Sequence, residues 1–301
     1  MRASFVGRGV LARVAAYGRL VRFPHTVFAM PFAMLAVFLA ARGWCGWGKF
    51  GLILACMVAA RSAAMAFNRI ADVRIDARNP RTAGRPLQTG QLTLTQAWAF
   101  YAMCGGAFLL ACAGFWWLYD NPWPIRLGVP VLAFISVYSL AKRFTWLCHV
   151  LLGASLGISP MAAWLAVEPA TWGLPAMTLG LAVLCWSGGF DIIYALQDLQ
   201  VDRREGLKSL PARFGPSGAL WISRSMHLLT VGLLLWLALL ANLGWVYLAG
   251  LAITAGLLVV EQSLVSPRDF SRAGAAFLYA NSAVSLLLAG AGIADVFLHA
   301  R

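Results

Sequence analysis

Five of the eleven acidic residues of this chain fall in two short segments. The first reads Asn68-Arg69-Ile70-Ala71-Asp72-Val73-Arg74-Ile75-Asp76. Asn68, Asp72 and Asp76 recur at i, i+4 and i+8, which on a helix lines one amide and two carboxylates along a single face. The second runs from Asp191 through Tyr194 and Gln197 to Asp198 and Asp202, again on one helical face. Adjacent carboxylates repel each other, and in or near a bilayer each is costly. A hard divalent cation with oxygen ligands relieves both problems. The competing interpretation is a solvated helix end with the aspartates paired to Arg69, Arg74 or Arg78. A second cluster of the same kind makes a metal site the better one.

The rest of the chain is apolar. Its 301 residues are 61% hydrophobic and 12% charged, with a mean hydropathy of +0.75. That is too little charge for a water-facing surface, and runs of about twenty apolar residues recur throughout, each long enough to span a bilayer as a helix. Barrel strands would give shorter, alternating signals. The expected fold is all-α and polytopic, one membrane-embedded domain over 1–301. Nine spans are predicted near 23–41, 51–72, 94–118, 123–141, 145–167, 173–198, 217–240, 243–262 and 271–297, with Gly, Asn and Pro between them. Helices 1–4 and 5–8 read as an imperfect four-helix repeat with one helix added, because helices 2 and 6 both end in an aspartate pair.

Charge placement orients the spans. The net charge of +13 comes from Lys and Arg in short turns, without the aromatic-interleaved basic surface of a nucleic-acid binder. Arg2 to Arg22, Arg74 to Arg85, Lys142-Arg143, Arg203 to Arg213 and Arg268 with Arg272 share one side; Arg42, Lys49, Arg126 and Arg301 share the other. The excess marks the cytosol, so the N-terminus is predicted inside and the C-terminus outside. The first 22 residues hold five arginines and no acid; a mitochondrial transit segment has that composition, but a basic cytosolic flank to the first helix is the preferred reading. The six cysteines lie singly, without metal or disulfide spacing, and read as small apolar residues.

This orientation places both clusters at one membrane depth, beside a third segment, Tyr138-Ser139-Leu140-Ala141-Lys142-Arg143, at the end of helix 4. Lys142 and Arg143 there suit a diphosphate leaving group. The basic loops after each cluster, with Arg85 and Lys208, read as a cap over a charged ligand, and Arg22 lies within reach of it. His25 and His149 read as isolated packing histidines. Arg61 and Arg224 receive no assignment.

At these residues the chain resembles the UbiA superfamily of intramembrane prenyltransferases. Asn68, Asp72 and Asp76 match that family's first acidic motif, Asp198 and Asp202 its second, and Tyr138, Lys142 and Arg143 the segment between them. Arg69 departs from the pattern, standing where many members carry an acid. The resemblance implies nine helices around a central cavity, with Mg²⁺ bridging a polyprenyl diphosphate. The metal ligands are then Asn68, Asp72, Asp76, Asp198 and Asp202. Substrate contacts fall to Arg22, Arg69, Arg85, Tyr138, Tyr194 and Lys208, and the catalytic roles to Lys142, Arg143 and Asp191, the last orienting or deprotonating the acceptor hydroxyl. Asn79 to Leu87 and Gly189 to Asp198 are similar to members acting on hydroxylated aromatic acids in quinone biosynthesis. The menaquinone branch, with 1,4-dihydroxy-6-naphthoate as acceptor, is the expected one, and 4-hydroxybenzoate in the ubiquinone branch is the neighbour. The expected location is a bacterial inner membrane. A cation-coupled secondary transporter is the alternative, disfavoured because its carboxylates belong near the bilayer midplane.

Overall fold

In a computed structural model, residues 10–21, 30–275 and 280–299 are described. Among them there is no strand. The helices in chain order are α1 (Val10–Leu20), α2 (Met30–Ala41), α3 (Trp47–Ala71), α4 (Val73–Arg78), α5 (Leu94–Tyr119), α6 (Trp123–Val137), α7 (Cys148–Val167), α8 (Leu174–Ala195), α9 (Leu199–Arg204), α10 (Leu210–Leu240), α11 (Trp245–Ser263), α12 (Ala273–Ala275) and α13 (Asn281–His299). Eight of the predicted spans correspond to helices long and apolar enough to cross a membrane. The first, predicted over 23–41, is described only as the 12-residue α2, and its beginning lies outside the described residues, as does Arg22.

The two acidic segments are not single uninterrupted helices. Asp72 ends α3 and starts α4 with φ −94° and ψ 8°. Asp198 closes a short 3₁₀ turn and starts α9 with φ −100° and ψ 2°. Both sit in the sparsely populated bridge region that active-site residues frequent. At the first break the helical ladder survives, with the Asp72 amide on the Asn68 carbonyl at 3.0 Å and the Asp76 amide on the Asp72 carbonyl at 2.8 Å. Asn68, Asp72 and Asp76 therefore keep nearly one face while the chain bends. The Tyr138–Arg143 segment, predicted as the end of a helix, is a 3₁₀ turn. A long helix followed by a bridge-region aspartate, a six-residue helix and a buried second aspartate occurs twice, at α3–α4 and α8–α9. This is the structural counterpart of the expected repeat.

Packing follows from residue size. α8 is the central helix, packed between α7 and α10 and buried on most of its surface, including Trp186, Ile192 and Ile193. α3 packs on α5, α6 contacts α5 and α7, and the layer closes through α11, α13 and α2. Apolar burial alone cannot hold helices together in lipid, so small residues at the contacts matter. Gly153 and Gly157 of α7 face Gly180, Leu184 and Gly188 of α8: a Cβ at Gly153 would stand 2.4 Å from the Leu184 carbonyl oxygen, and one at Gly157 would stand 2.5 Å from that of Gly180. The backbones touch, and this fixes the depth of α8 relative to α7. Exposed Trp44, Trp47, Trp116, Trp117, Trp123 and Trp172 gather at the helix ends opposite the aspartates, as an interfacial belt. The loop from Asn79 to Thr93 is also locally determined. Asn79 Oδ1 accepts from the Arg81 amide at 2.9 Å, Thr82 Oγ1 donates to the Asp76 carbonyl at 2.8 Å, and Thr93 with Gln96 forms a capping box that starts α5.

Gly153→Ala should therefore destabilise the protein by about 1–3 kcal/mol, the usual cost of overpacking. Gly232→Ala in α10, where a Cβ meets nothing within 4 Å, should leave the thermal midpoint unchanged or raise it. Unfolding in detergent distinguishes the two variants.

Candidate active site

A cavity of about 280 Å³ opens where α3–α4, the Tyr138–Arg143 turn, α7 and α8–α9 converge. Its lining includes Asn68, Arg69, Asp72, Asp76, Arg85, Tyr138, Lys142, Asp191, Tyr194, Asp198 and Asp202, so eleven of the residues singled out in the sequence share one chamber. Arg143 stands just outside it, donating to the Ala71 carbonyl and, at 3.4 Å, to Asp72. Lys208 does not line it. Its amide donates to the Lys142 carbonyl at 2.7 Å and its ammonium to the Phe144 carbonyl at 3.0 Å, so it ties the turn after α6 to the loop after α9. The expected substrate contact through Lys208 is replaced by this structural one.

Among the described residues, no three acidic, His or Cys side chains already stand at ligating distance around a common point. Three of the facing carboxylates hold a cation of the protein instead. Asp72 takes Lys142 at 2.5 Å, Asp76 takes Arg85, and Asp198 takes Arg81 through two guanidinium nitrogens and Asn79 at 2.8 Å. Two low-dielectric carboxylates can be neutralised by an ammonium, a guanidinium or a metal, and the first two are covalently present. The oxygen-only donor set of Asn68, Asp72, Asp76, Asp198 and Asp202 fits a hard divalent cation once those side chains swing away. Five acids and five Lys or Arg line the chamber. Being near neutral, it favours a cation and an anion together over either alone.

Three residues that the sequence did not place in the site belong to this chamber. Arg81 donates to Asp198 and, at 2.9 Å, to the Tyr194 hydroxyl, and stacks over the Tyr194 ring at 5.2 Å. Partial burial works against its charge, but the Asp198 hydrogen bonds and charge outweigh that and hold the guanidinium above its ordinary pKa. Arg61 is half-buried in mid-helix, and its buried Nε has no hydrogen-bond partner. An arginine inside an otherwise apolar span is itself a functional signal, and it was available in the sequence. His149, read as a packing residue, stands 2.6 Å from Asp191. That pairing joins residues 42 apart in sequence, so periodicity could not reveal it.

A second, apolar cavity of about 350 Å³ lies between α3, α5, α6 and α7. Ile53, Met57, Phe108, Phe115 and Ile135 are among its lining residues. It meets the polar chamber at Arg61, Met65, Tyr138 and Leu156, which line both.

Residues 29–283 match the model of the UbiA prenyltransferase family. The chain belongs to the UbiA prenyltransferase family. It is a prenyltransferase and an integral membrane protein. The 4-hydroxybenzoate octaprenyltransferase of Pseudoalteromonas atlantica is 32% identical over 85% of this chain and 88% of its own length. The same-named protein of Cupriavidus necator is 30% identical over 95% of this chain and 99% of its own. The apo structure of a UbiA homologue from Aeropyrum pernix K1 superposes with a TM-score of 0.79 at 34% identity, covering 90% of this chain and 97% of that one. A UbiA homologue from Archaeoglobus fulgidus, solved with GPP and Mg²⁺, shares the fold with a TM-score of 0.64 at 20% identity, covering 94% of this chain and 99% of that one.

Because Arg81 occupies Asp198, Arg81→Gln should bind Mn²⁺ about three- to tenfold more tightly than wild type when no pyrophosphate is present. The same variant should lose most of the tightening that pyrophosphate brings to wild type. Titration of the free Mn²⁺ paramagnetic signal measures both.

Proposed function

We propose that this enzyme transfers a polyprenyl group from a polyprenyl diphosphate to a hydroxylated aromatic carboxylic acid, with Mg²⁺ as cofactor. The observation that carries this reading is the junction of the two cavities. A charged chamber fit for a metal diphosphate runs directly into an apolar chamber fit for a prenyl chain, with Arg61 and Tyr138 where they meet.

In this reading Asn68, Asp72, Asp76, Asp198 and Asp202 hold Mg²⁺, which when bound offsets charge on the departing diphosphate. Lys142, Arg143, Arg81 and Arg85, released from their carboxylates, turn to the phosphate oxygens, and Arg22 and Arg69 support them. Arg61, half-buried with a buried, unpaired Nε, takes the acceptor's carboxylate. The acceptor hydroxyl then points toward Asp191, whose carboxylate draws its proton and makes the ring electron-rich. The ring carbon beside the hydroxyl bonds to the allylic carbon as the carbon–oxygen bond to diphosphate breaks. The electron pair leaves with the diphosphate, and the hydrogen lost from that ring carbon replaces the hydroxyl proton. The apolar walls keep water from the allylic cation.

The named relatives favour 4-hydroxybenzoate over the naphthoate expected from sequence. We place the single domain in a bacterial inner membrane, with the N-terminus and the charged chamber toward the cytosol, on the Lys and Arg excess of the loops there. Purified enzyme given Mg²⁺, geranyl diphosphate and either 4-hydroxybenzoate or 1,4-dihydroxy-6-naphthoate should prenylate the first in preference. Turnover of neither would refute the acceptor class. Asp72→Asn and Asp198→Asn should each leave less than about 1% of the product. Arg61→Ala should raise the KM for the acceptor by about 30-fold or more, as loss of a buried charge pair does, with the KM for geranyl diphosphate within about twofold of wild type.

A further inference from the structure

His149 makes two hydrogen bonds that together admit one arrangement of its protons. It is buried at the start of α7. Its Nε2 faces the backbone amide of Leu210 at 3.3 Å, in the first turn of α10. A backbone N–H can only donate, so Nε2 carries the lone pair and the ring hydrogen sits on Nδ1. Nδ1 lies 2.6 Å from Asp191 Oδ2 and donates to it. Asp191 lines the charged chamber, and no hydrogen bond to its Oδ1 occurs among the described residues. One carboxylate oxygen is thus held by His149, while the other has no hydrogen bond among the described residues.

The framework around this pair is rigid. The α7–α8 backbones touch at Gly153 and Gly157, one and two turns beyond His149, so the imidazole and the carboxylate cannot drift apart. Leu210 follows Ser209, whose hydroxyl caps α10 by accepting from the Ala212 amide at 3.3 Å. The same loop is fixed to the Lys142 carbonyl through Lys208 at 2.7 Å.

We propose that His149 is the positioning residue of the acceptor site: it holds Asp191 aimed at the acceptor hydroxyl, with its own tautomer set by Leu210. The inference rests on the reading of Asp191 given above. The arrangement follows the logic of a buried carboxylate and imidazole in which the outer partner fixes the geometry and protonation of the inner one. Here the roles are reversed, the carboxylate facing the substrate and the imidazole standing behind it.

Asn and Gln separate the two nitrogens. An Asn side chain places its amide where Nδ1 stands, and a Gln places its amide near Nε2. With geranyl diphosphate and 4-hydroxybenzoate, His149→Ala and His149→Gln should each lose about 100-fold in kcat. His149→Asn should recover at least about tenfold of that loss. In all three variants the KM for geranyl diphosphate and the affinity for Mn²⁺ with pyrophosphate should stay near wild type. Activity of His149→Ala within about threefold of wild type overturns the proposal. So does a better rescue by Gln than by Asn, or a parallel loss of Mn²⁺ binding in all three, which would mark a structural role. Should His149→Ala fail to fold, the Asn and Gln pair decides alone. Asp191→Asn is measured alongside: full activity there removes the underlying role of Asp191, whereas an inactive Asp191→Asn beside a fully active His149→Ala removes only the inference about His149.

Discussion

Neutralising carboxylates at the edge of an apolar medium is the constraint on which the site depends. Asp72 and Asp76 are almost completely buried, and charges so placed are paired or not tolerated. Lys142 and Arg85 meet them, and Arg81 meets the less buried Asp198. Each pair links segments distant in sequence or bridges a loop: Lys142 brings the turn after α6 onto α3, and Arg81 brings the loop after α4 onto α8–α9. The ion pairs are therefore structural ties as much as components of chemistry. A metal diphosphate can replace them because it offers the carboxylates a cation and the freed cations an anion.

That exchange requires a scaffold that does not move while side chains do. The close α7–α8 contact supplies it on one side of the chamber. In a bilayer, helices gain nothing from excluding water from one another, so backbone contact through glycine does what a hydrophobic core does in water. The same contact sets Asp191 opposite His149. The helix breaks at Asp72 and Asp198 bend each long helix over the chamber, turning an aspartate from each half of the molecule toward a common space.

Much of this was legible in the residues themselves. The spans showed as apolar runs, the aspartate clusters as charge where charge is costly, and the Tyr138–Arg143 segment as basic residues at the matching depth. The helix breaks were not visible, because Asp72 and Asp198 sit in sequences that keep a 3.6-residue rhythm and the bend changes only two dihedrals. Arg61 carried a signal that a count of polar residues within spans would have caught. Lys208 was overread: a lysine in a basic loop beside the site differs from one in the site only by the direction of its side chain.

The sequence by itself determined that this is a polytopic helical membrane protein with two acidic motifs fit for a metal diphosphate, because hydropathy and i, i+4 spacing are local properties of the chain. Tertiary structure decided which cation each aspartate holds, that the charged chamber joins an apolar one at Arg61, and that His149 stands behind Asp191. Those are contacts between helices, and their geometry comes from how closely α7 and α8 approach and where the chain bends, which residues near in sequence do not encode.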